Sequence, residues 1–260
     1  IAELVAAFIR KDHNCLIADI NNVLLGDEYS DEAIKKAMSA DKNDAHTPDE
    51  MIFCVLIARI MSLILEYVLS GNQAWFDEAN DILADLMELS LLEMSPPLWW
   101  IARLLHLLLS DYGESSPWVV LPPYFPVVDQ SDLTDFIHLL ALRHRPVTEL
   151  WQAQRIAIPK ALDTNNNGAV ISLRTSSGKT RIAEIAILQS LVENPDGKVL
   201  YLAPFRSLAF EVETSLNESL SRMGYKVSHI YGGARFSPLD RSMIDQAQVV
   251  IATPEKAKAM

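Results

Sequence analysis

The chain has 260 residues, half of them hydrophobic, with 34 Asp and Glu against 22 Lys and Arg and a formal net charge of −12. That is enough for one large domain or two ordinary ones, either with a substantial core. Only two cysteines are present, Cys15 and Cys54; without a Cys-x-x-Cys pair or a histidine at ligand spacing they argue against a structural zinc and predict inert, buried thiols in a reduced intracellular compartment.

Charge is unevenly spread. Residues 1–150 carry 9 Lys and Arg against 24 Asp and Glu, a balance of −15, whereas residues 151–260 carry 13 against 10, or +3. An acidic surface repels nucleic acid at long range and suits a protein partner; a mildly basic one can accept a phosphate backbone.

The first 145 residues read as helix after helix. The sequence opens at Ile1 with neither Met nor a signal peptide, as an excerpt would. Asp31-Glu32-Ala33-Ile34 belongs to an acidic surface helix. Thr47-Pro48-Asp49-Glu50 is a capping box with Pro at the first helical position and predicts an apolar helix to about Ser70. Segment 51–70 has the length of a membrane span, but Arg59 and Glu66 interrupt it and no basic flank orients it, so a buried helix is expected. Gly71-Asn72 ends it, and a helix over about Gln73–Met94 follows, with a solvent face of Asp77, Glu78, Asp81, Asp85 and Glu88.

Pro96-Pro97 starts the next helix, about Leu98–Leu109, in which Trp99, Trp100, Leu104, Leu105 and Leu107–Leu109 are expected in the core and His106 as a packed histidine. The pattern suggests stacked helical hairpins with no clean repeat period. Pro117–Pro126 reads as an extended connector, because its prolines oppose a helix. A further helix opens near Ser131 and contains His138, also read as packed.

After Pro146 the texture changes. Helices are expected over about Thr148–Leu162, Gly178–Leu191, Phe205–Arg222 and Pro238–Gln246. Strands are expected over Ala169–Leu173, Lys198–Ala203, Lys226–Tyr231 and Val249–Ala252. This alternation implies βαβ units and a parallel sheet. The expected fold is therefore an α/β P-loop sheet, residues 146–260, preceded by an all-α accessory domain, residues 1–145.

The most informative stretch is 171–187, ISLRTSSGKTRIAEIAI, where Ser-Ser-Gly-Lys-Thr lies between a β-branched run and an amphipathic segment. Phosphate binding needs that order: a strand delivers the chain to a tight turn whose N–H groups face inward, and a helix N-terminus starts there. Gly178 permits close approach of the backbone, Lys179 supplies a point charge for the β- and γ-phosphates, and the Thr180 hydroxyl is suited to ligate Mg²⁺. The strict pattern G-x-x-x-x-G-K-[ST] is not met, since Leu173 holds the place of its first glycine.

The blocks around this loop resemble those of the superfamily 2 helicases, and within them the Ski2-like DExH group. Glu149-Leu150-Trp151-Gln152-Ala153-Gln154 resembles the Q motif, which implies that Gln154 hydrogen-bonds the adenine edge. Thr175-Ser176-Ser177-Gly178-Lys179-Thr180, continued by Ile182-Ala183-Glu184, is similar to motif I, and implies that all six loop residues hold ATP with Mg²⁺ on Thr180. Tyr201-Leu202-Ala203-Pro204-Phe205-Arg206-Ser207-Leu208-Ala209 resembles motif Ia, with Glu211 at its acidic position. Gly232-Gly233 resembles the group's Gly-Gly turn, and Thr253-Pro254-Glu255-Lys256 resembles motif Ib. The resemblance implies a RecA-like domain in which Pro204, Arg206, Gly232, Gly233, Thr253, Pro254 and Glu255 hold the backbone of one strand.

Two departures stand out. Leu173-Arg174 replace the usual Ala-Pro, adding bulk and a positive charge at the loop mouth. The Asp-Glu-x-His of motif II is expected after Thr253 and is not within residues 1–260, so this chain alone is expected to bind nucleotide without hydrolysing it. For the full-length protein the resemblance implies an ATP-driven 3′→5′ helicase, with Lys179 and Thr180 catalytic, in anti-phage defence or DNA repair. It further implies the helicase subunit of a Hachiman-type anti-phage system. The expected partners are single-stranded nucleic acid, DNA favoured over RNA, and a protein such as a nuclease effector on the acidic helical domain, in the cytoplasm and away from membranes. An ATP-sensing scaffold with a P-loop fold and no motor activity is the alternative. A P-loop kinase or GTPase is disfavoured by the Q-motif and motif Ia blocks and by the lack of an Asn-Lys-x-Asp for guanine.

Overall fold

The structure, a computed structural model, describes residues 1–39, 47–125, 130–165, 168–174, 177–230 and 237–260. The chain divides into two compact units, Ile1–Glu114 and Ser115–Met260.

Among the described residues the first unit is all helical: α1 (Ala2–Arg10), α2 (His13–Leu24), α3 (Asp31–Ser39), α4 (Pro48–Ser70), α5 (Gln73–Leu92) and α6 (Pro96–Ser115, whose last residue passes into the second unit). The predicted capping box opens α4. Thr47 Oγ1 accepts from the Glu50 N–H at 3.3 Å and Glu50 Oε2 accepts from the Thr47 N–H at 3.2 Å, which satisfies two of the helix's orphan donors. Gly71, left-handed at φ 67°, ends it.

By length and composition α4 is apolar enough to cross a membrane. Here it lies against α2 and α5, and Ile57, Ala58, Ile60, Met61 and Ile64 are fully buried, each large apolar side chain contributing about 1.5–3 kcal/mol. It is thus the buried helix that the interrupting charges predicted. Ring contacts of Tyr67 with Phe76 at 5.0 Å and with Tyr112 at 6.0 Å tie α4, α5 and α6.

Two expectations for this unit need correction. Trp100, at 64% exposure, Leu104 and Leu107 are on the surface. A continuous apolar run wraps around a helix, and only the stripe Leu98, Ala102, Leu105, Leu109 and Tyr112 faces inward. Cys15 is exposed, on the first turn of α2 beside its cap Asp12. Hydrogen bonding to Asp12 raises the thiol's pKa, which keeps it a poor nucleophile.

The second unit begins with α7 (Pro117–Val120), a 3₁₀ turn over Pro122–Tyr124, and α8 (Ser131–Leu142). The expected extended connector is therefore partly helical. Pro117 and Pro122 each sit at a first helical position, where no N–H is needed, and Ser116 Oγ caps the Trp118 N–H at 3.3 Å. His138 packs edge-on against Trp118. The second compact unit starts 31 residues before the change in texture after residue 145, because α8 shares the second core. Leu133, Phe136, Ile137 and Leu140 are buried in one cluster with Val212, Leu216, Leu220, Val249 and Ile251. Tyr225 OH also donates to Asp132 Oδ2 at 2.6 Å.

The remaining elements are α9 (Gln152–Ala161), α10 (Lys179–Glu193), β1 (Val199–Leu202), α11 (Arg206–Ser219), β2 (Val227–Ile230), α12 (Pro238–Gln246), β3 (Val249–Ala252) and α13 (Pro254–Ala257). The strands form a parallel sheet in the order β1-β3-β2, with Val199 and Val227 both opposite Val249. Central β3 is buried throughout, as a strand with neighbours on both sides must be, and its four residues are accordingly all apolar. This is the expected α/β parallel sheet of RecA-like type after an all-α part.

The strand expected over Ala169–Leu173 is absent. Those residues pair with no strand among the described residues, and Val170 is 99% exposed. β-Branched composition favours an extended backbone, but a strand exists only with a ladder partner. On β1, which among the described residues pairs with β3 alone, Leu200 and Leu202 are exposed.

Candidate nucleotide and nucleic-acid sites

The phosphate-type loop ends on Gly178, the N-cap of α10, at φ 73°. Only glycine adopts that left-handed conformation without strain. The loop closes on itself: Ser177 Oγ donates to the Arg174 carbonyl at 2.6 Å, and Lys179 Nζ donates to the carbonyls of Leu173 at 2.8 Å and Arg174 at 3.2 Å. Lys179 is exposed and Thr180 half-buried in the first turn of α10. Thr175 and Ser176 lie outside the described residues.

Gln154 meets this loop. It is buried at the third position of α9, where its Oε1 accepts from the Trp151 N–H at 2.8 Å and its Nε2 donates to the Gly178 carbonyl at 3.2 Å. A Cβ on Gly178 would stand 2.1 Å from that Nε2. The amide has one lone pair and one N–H beyond these two bonds, so it can brace the loop and still face a ligand edge.

These features fit an anionic phosphate ligand. A 15-residue helix starts at a glycine with its first N–H groups free of intrahelical partners, and a lysine ammonium is held at the loop. Thr180 is the described hydroxyl at the start of that helix and would hold Mg²⁺, which when bound neutralises charge on the phosphate oxygens.

The expected strand-binding residues that are described follow the C-terminal ends of β1 and β3. Leu202 of β1 pairs with Ala252 of β3, and the Ala203 N–H donates to the Ala252 carbonyl at 2.9 Å. Adjacent strands thus end at one level, and Pro204 and Arg206 emerge beside Thr253, Pro254 and Glu255. Pro204, Arg206 and Glu255 are exposed, whereas Thr253 is buried as the N-cap of α13. Ile230 of β2 pairs with the same Ala252, and Gly232-Gly233, next in sequence, lie outside the described residues.

Lys256, the last residue of the Thr-Pro-Glu-Lys block, is buried and pairs with Asp240 Oδ2 at 2.9 Å, tying α13 to α12. That hydrogen bond holds the Asp240 carboxyl below its ordinary pKa. Not foreseen from the sequence is a cluster in which Arg143, Arg181, Glu184 and Ser219 are largely buried and Glu218 is half-exposed. The available signal was Glu184, a lone charge in the apolar run Ile182–Ile187.

Residues 151–260 match the DEAD/DEAH box helicase family. Hachiman protein HamB of Bacillus cereus is 37% identical over 228 residues, 87% of this chain and 20% of HamB. ATP-dependent DNA helicase Hel308 of Aeropyrum pernix is 39% identical over 110 residues, 42% of this chain and 14% of Hel308. RQC trigger complex helicase SLH1 of Saccharomyces cerevisiae is 29% identical over 146 residues, 51% of this chain and 7% of SLH1. The chain thus spans a fifth or less of these relatives.

Proposed function

We propose, from the premise that residues 151–260 belong to the DEAD/DEAH box helicases, that the complete protein is a Ski2-like ATP-dependent translocase moving 3′→5′ along single-stranded nucleic acid. Residues 1–145 serve as its helical accessory domain and 146–260 as the first part of RecA-like domain 1. Gln154 and Thr175–Thr180 hold ATP, Lys179 and Thr180 with Mg²⁺ stabilise the transferring phosphoryl group, and Pro204, Arg206, Gly232, Gly233, Thr253, Pro254 and Glu255 line the strand path. Residues 1–260 alone bind nucleotide without turning it over, with the water-activating acids elsewhere in the full-length protein.

The reading rests most on the level ends of β1 and β3, which bring the exposed Arg206 and the Thr253 block to one rim. Contacts there would be to backbone phosphates and so indifferent to base sequence. The likeness to Hachiman protein HamB over 87% of the chain supports work in the cytoplasm as the helicase of a Hachiman-type anti-phage system, with DNA repair as the other setting. DNA is the favoured strand, and a protein partner such as a nuclease docks on the acidic helical domain.

Two substitutions in the full-length protein check the assignments. Gln154→Ala is expected to raise KM for ATP by about 10-fold, the worth of one good hydrogen bond, with kcat changed by less than about 3-fold. Equal use of ATP and GTP by the wild type would remove Gln154 from the adenine edge. Arg206→Glu is expected to weaken binding of a single-stranded oligonucleotide and to lower the slope of log K against log salt by about one. An unchanged slope would take Arg206 off the strand path.

A further inference from the structure

Arg143, Arg181 and Glu184 meet with little access to water, and Glu218, its side chain 41% exposed, joins them at the edge. Arg143, at the C-terminal end of α8, has a side chain 6% exposed, and Glu184, on the second turn of α10, one 1% exposed. Arg143 reaches α11, where its Nη2 lies 2.8 Å from Glu218 Oε2 and donates to the Ser215 carbonyl at 3.2 Å. Glu184 also reaches α11, accepting from Ser219 Oγ, and its Oε2 accepts from Arg181 of its own helix. Burial lowers the Arg181 pKa.

One bond in this cluster is unmade. Arg143 Nη1 lies 3.7 Å from Glu184 Oε2, is fully buried and has no hydrogen-bond partner among the described residues. Two guanidinium groups thus face one carboxylate oxygen, and only Arg181 is bonded to it. A shift of α10 by less than about 1 Å would bring Arg143 within hydrogen-bond range, so the geometry leaves room for a second arrangement of the cluster. A buried ion pair is in general a weak source of stability but fixes geometry well.

The helices it joins start at the two candidate sites. α10 begins at Lys179 and α11 at Arg206. We propose that Glu184, Arg143 and Ser219 are positioning residues that couple the two, so that strand binding at the start of α11 is felt at the phosphate loop as a change in where Glu184 sits between the arginines. This rests on the function proposed above. Glu184 and its partners are not among the residues proposed above to hold nucleotide or strand; their role is to act through α10 and α11. Such coupling has content only where an element with two states is biased from both sites, and the proposal places that element at the unmade Arg143 bond.

The test uses the full-length protein and measures ATP hydrolysis with and without saturating single-stranded oligonucleotide. Ser219→Ala is expected to cut the stimulation factor at least about 5-fold while basal rate and oligonucleotide Kd stay within about 2-fold, and Glu184→Gln is expected to cut the stimulation factor as far. Arg143→Lys should behave like them, since an ammonium cannot span Glu218, Ser215 and Glu184 as the fork does. An unchanged stimulation factor, or basal and stimulated rates falling together, overturns the proposal. Should the charge variants fail to fold, Ser219→Ala, which keeps every charge, decides. A wild type without stimulation overturns the proposed function itself; a stimulated wild type with unaffected variants overturns the coupling alone.

Discussion

Lys179→Ala is expected to lower nucleic-acid-stimulated kcat of the full-length protein by at least about 100-fold, the scale on which a single charge aimed at a transferring phosphoryl group matters. The ammonium sits at the start of α10 and is bonded to the Leu173 and Arg174 carbonyls. A phosphate oxygen is a stronger, charged acceptor at the same reach, so the lysine exchanges two neutral partners for one anion as charge builds up. The side chain is exposed and takes no part in the core, so melting temperature should move little. Stimulated turnover at the wild-type rate in this variant would refute the role of the loop.

Gly178→Ala is expected to be nearly as damaging and to act through two physical routes. A non-glycine residue at φ 73° costs about 1–3 kcal/mol, and the new Cβ would be 2.1 Å from Gln154 Nε2 and 3.1 Å from its Cδ. Gln154 must then leave, giving up its bonds to Trp151 and Gly178, each worth about 0.5–1.5 kcal/mol. ATP affinity should fall at least about 10-fold, with a lowered melting temperature. The double variant Gly178→Ala/Gln154→Ala removes the clash, so its destabilisation should be smaller than the sum of the two single effects. Additive losses would show that Gln154 and Gly178 do not meet.

Local chemistry was legible in the sequence wherever neighbours along the chain sufficed. The Thr47–Glu50 box, the Gly71 stop, the start of α10 after Gly178 and the strands over Val249–Ala252 and Val227–Ile230 all follow from caps, turns and β-branched runs. Features set by distant partners were not. Whether 169–173 becomes a strand depends on a neighbouring strand, which no local pattern encodes. Trp100 and Leu104 belong to an apolar run whose inward stripe is fixed by what packs on it. α8 joins the second unit through contacts with residues some 75 positions away, as Arg143 with Glu218 shows.

The candidate site divides the same way. Lys179, Thr180 and Arg206 stand out as residues, but the bond between Gln154 and Gly178 spans 24 positions. The pairing of Glu184 with Ser219 spans 35, and both needed the fold to become visible. Thr253 shows the opposite case: conspicuous in sequence, it is buried as a helix cap in the structure.

The most direct test of the central claim is a titration of ATP hydrolysis by the full-length protein with single-stranded DNA and, in parallel, with RNA of the same sequence. The predicted result is a rate that rises to saturation with the strand, more steeply for DNA, and stays flat in Lys179→Ala. A wild-type rate indifferent to both nucleic acids would contradict it and point instead to an ATP-sensing scaffold.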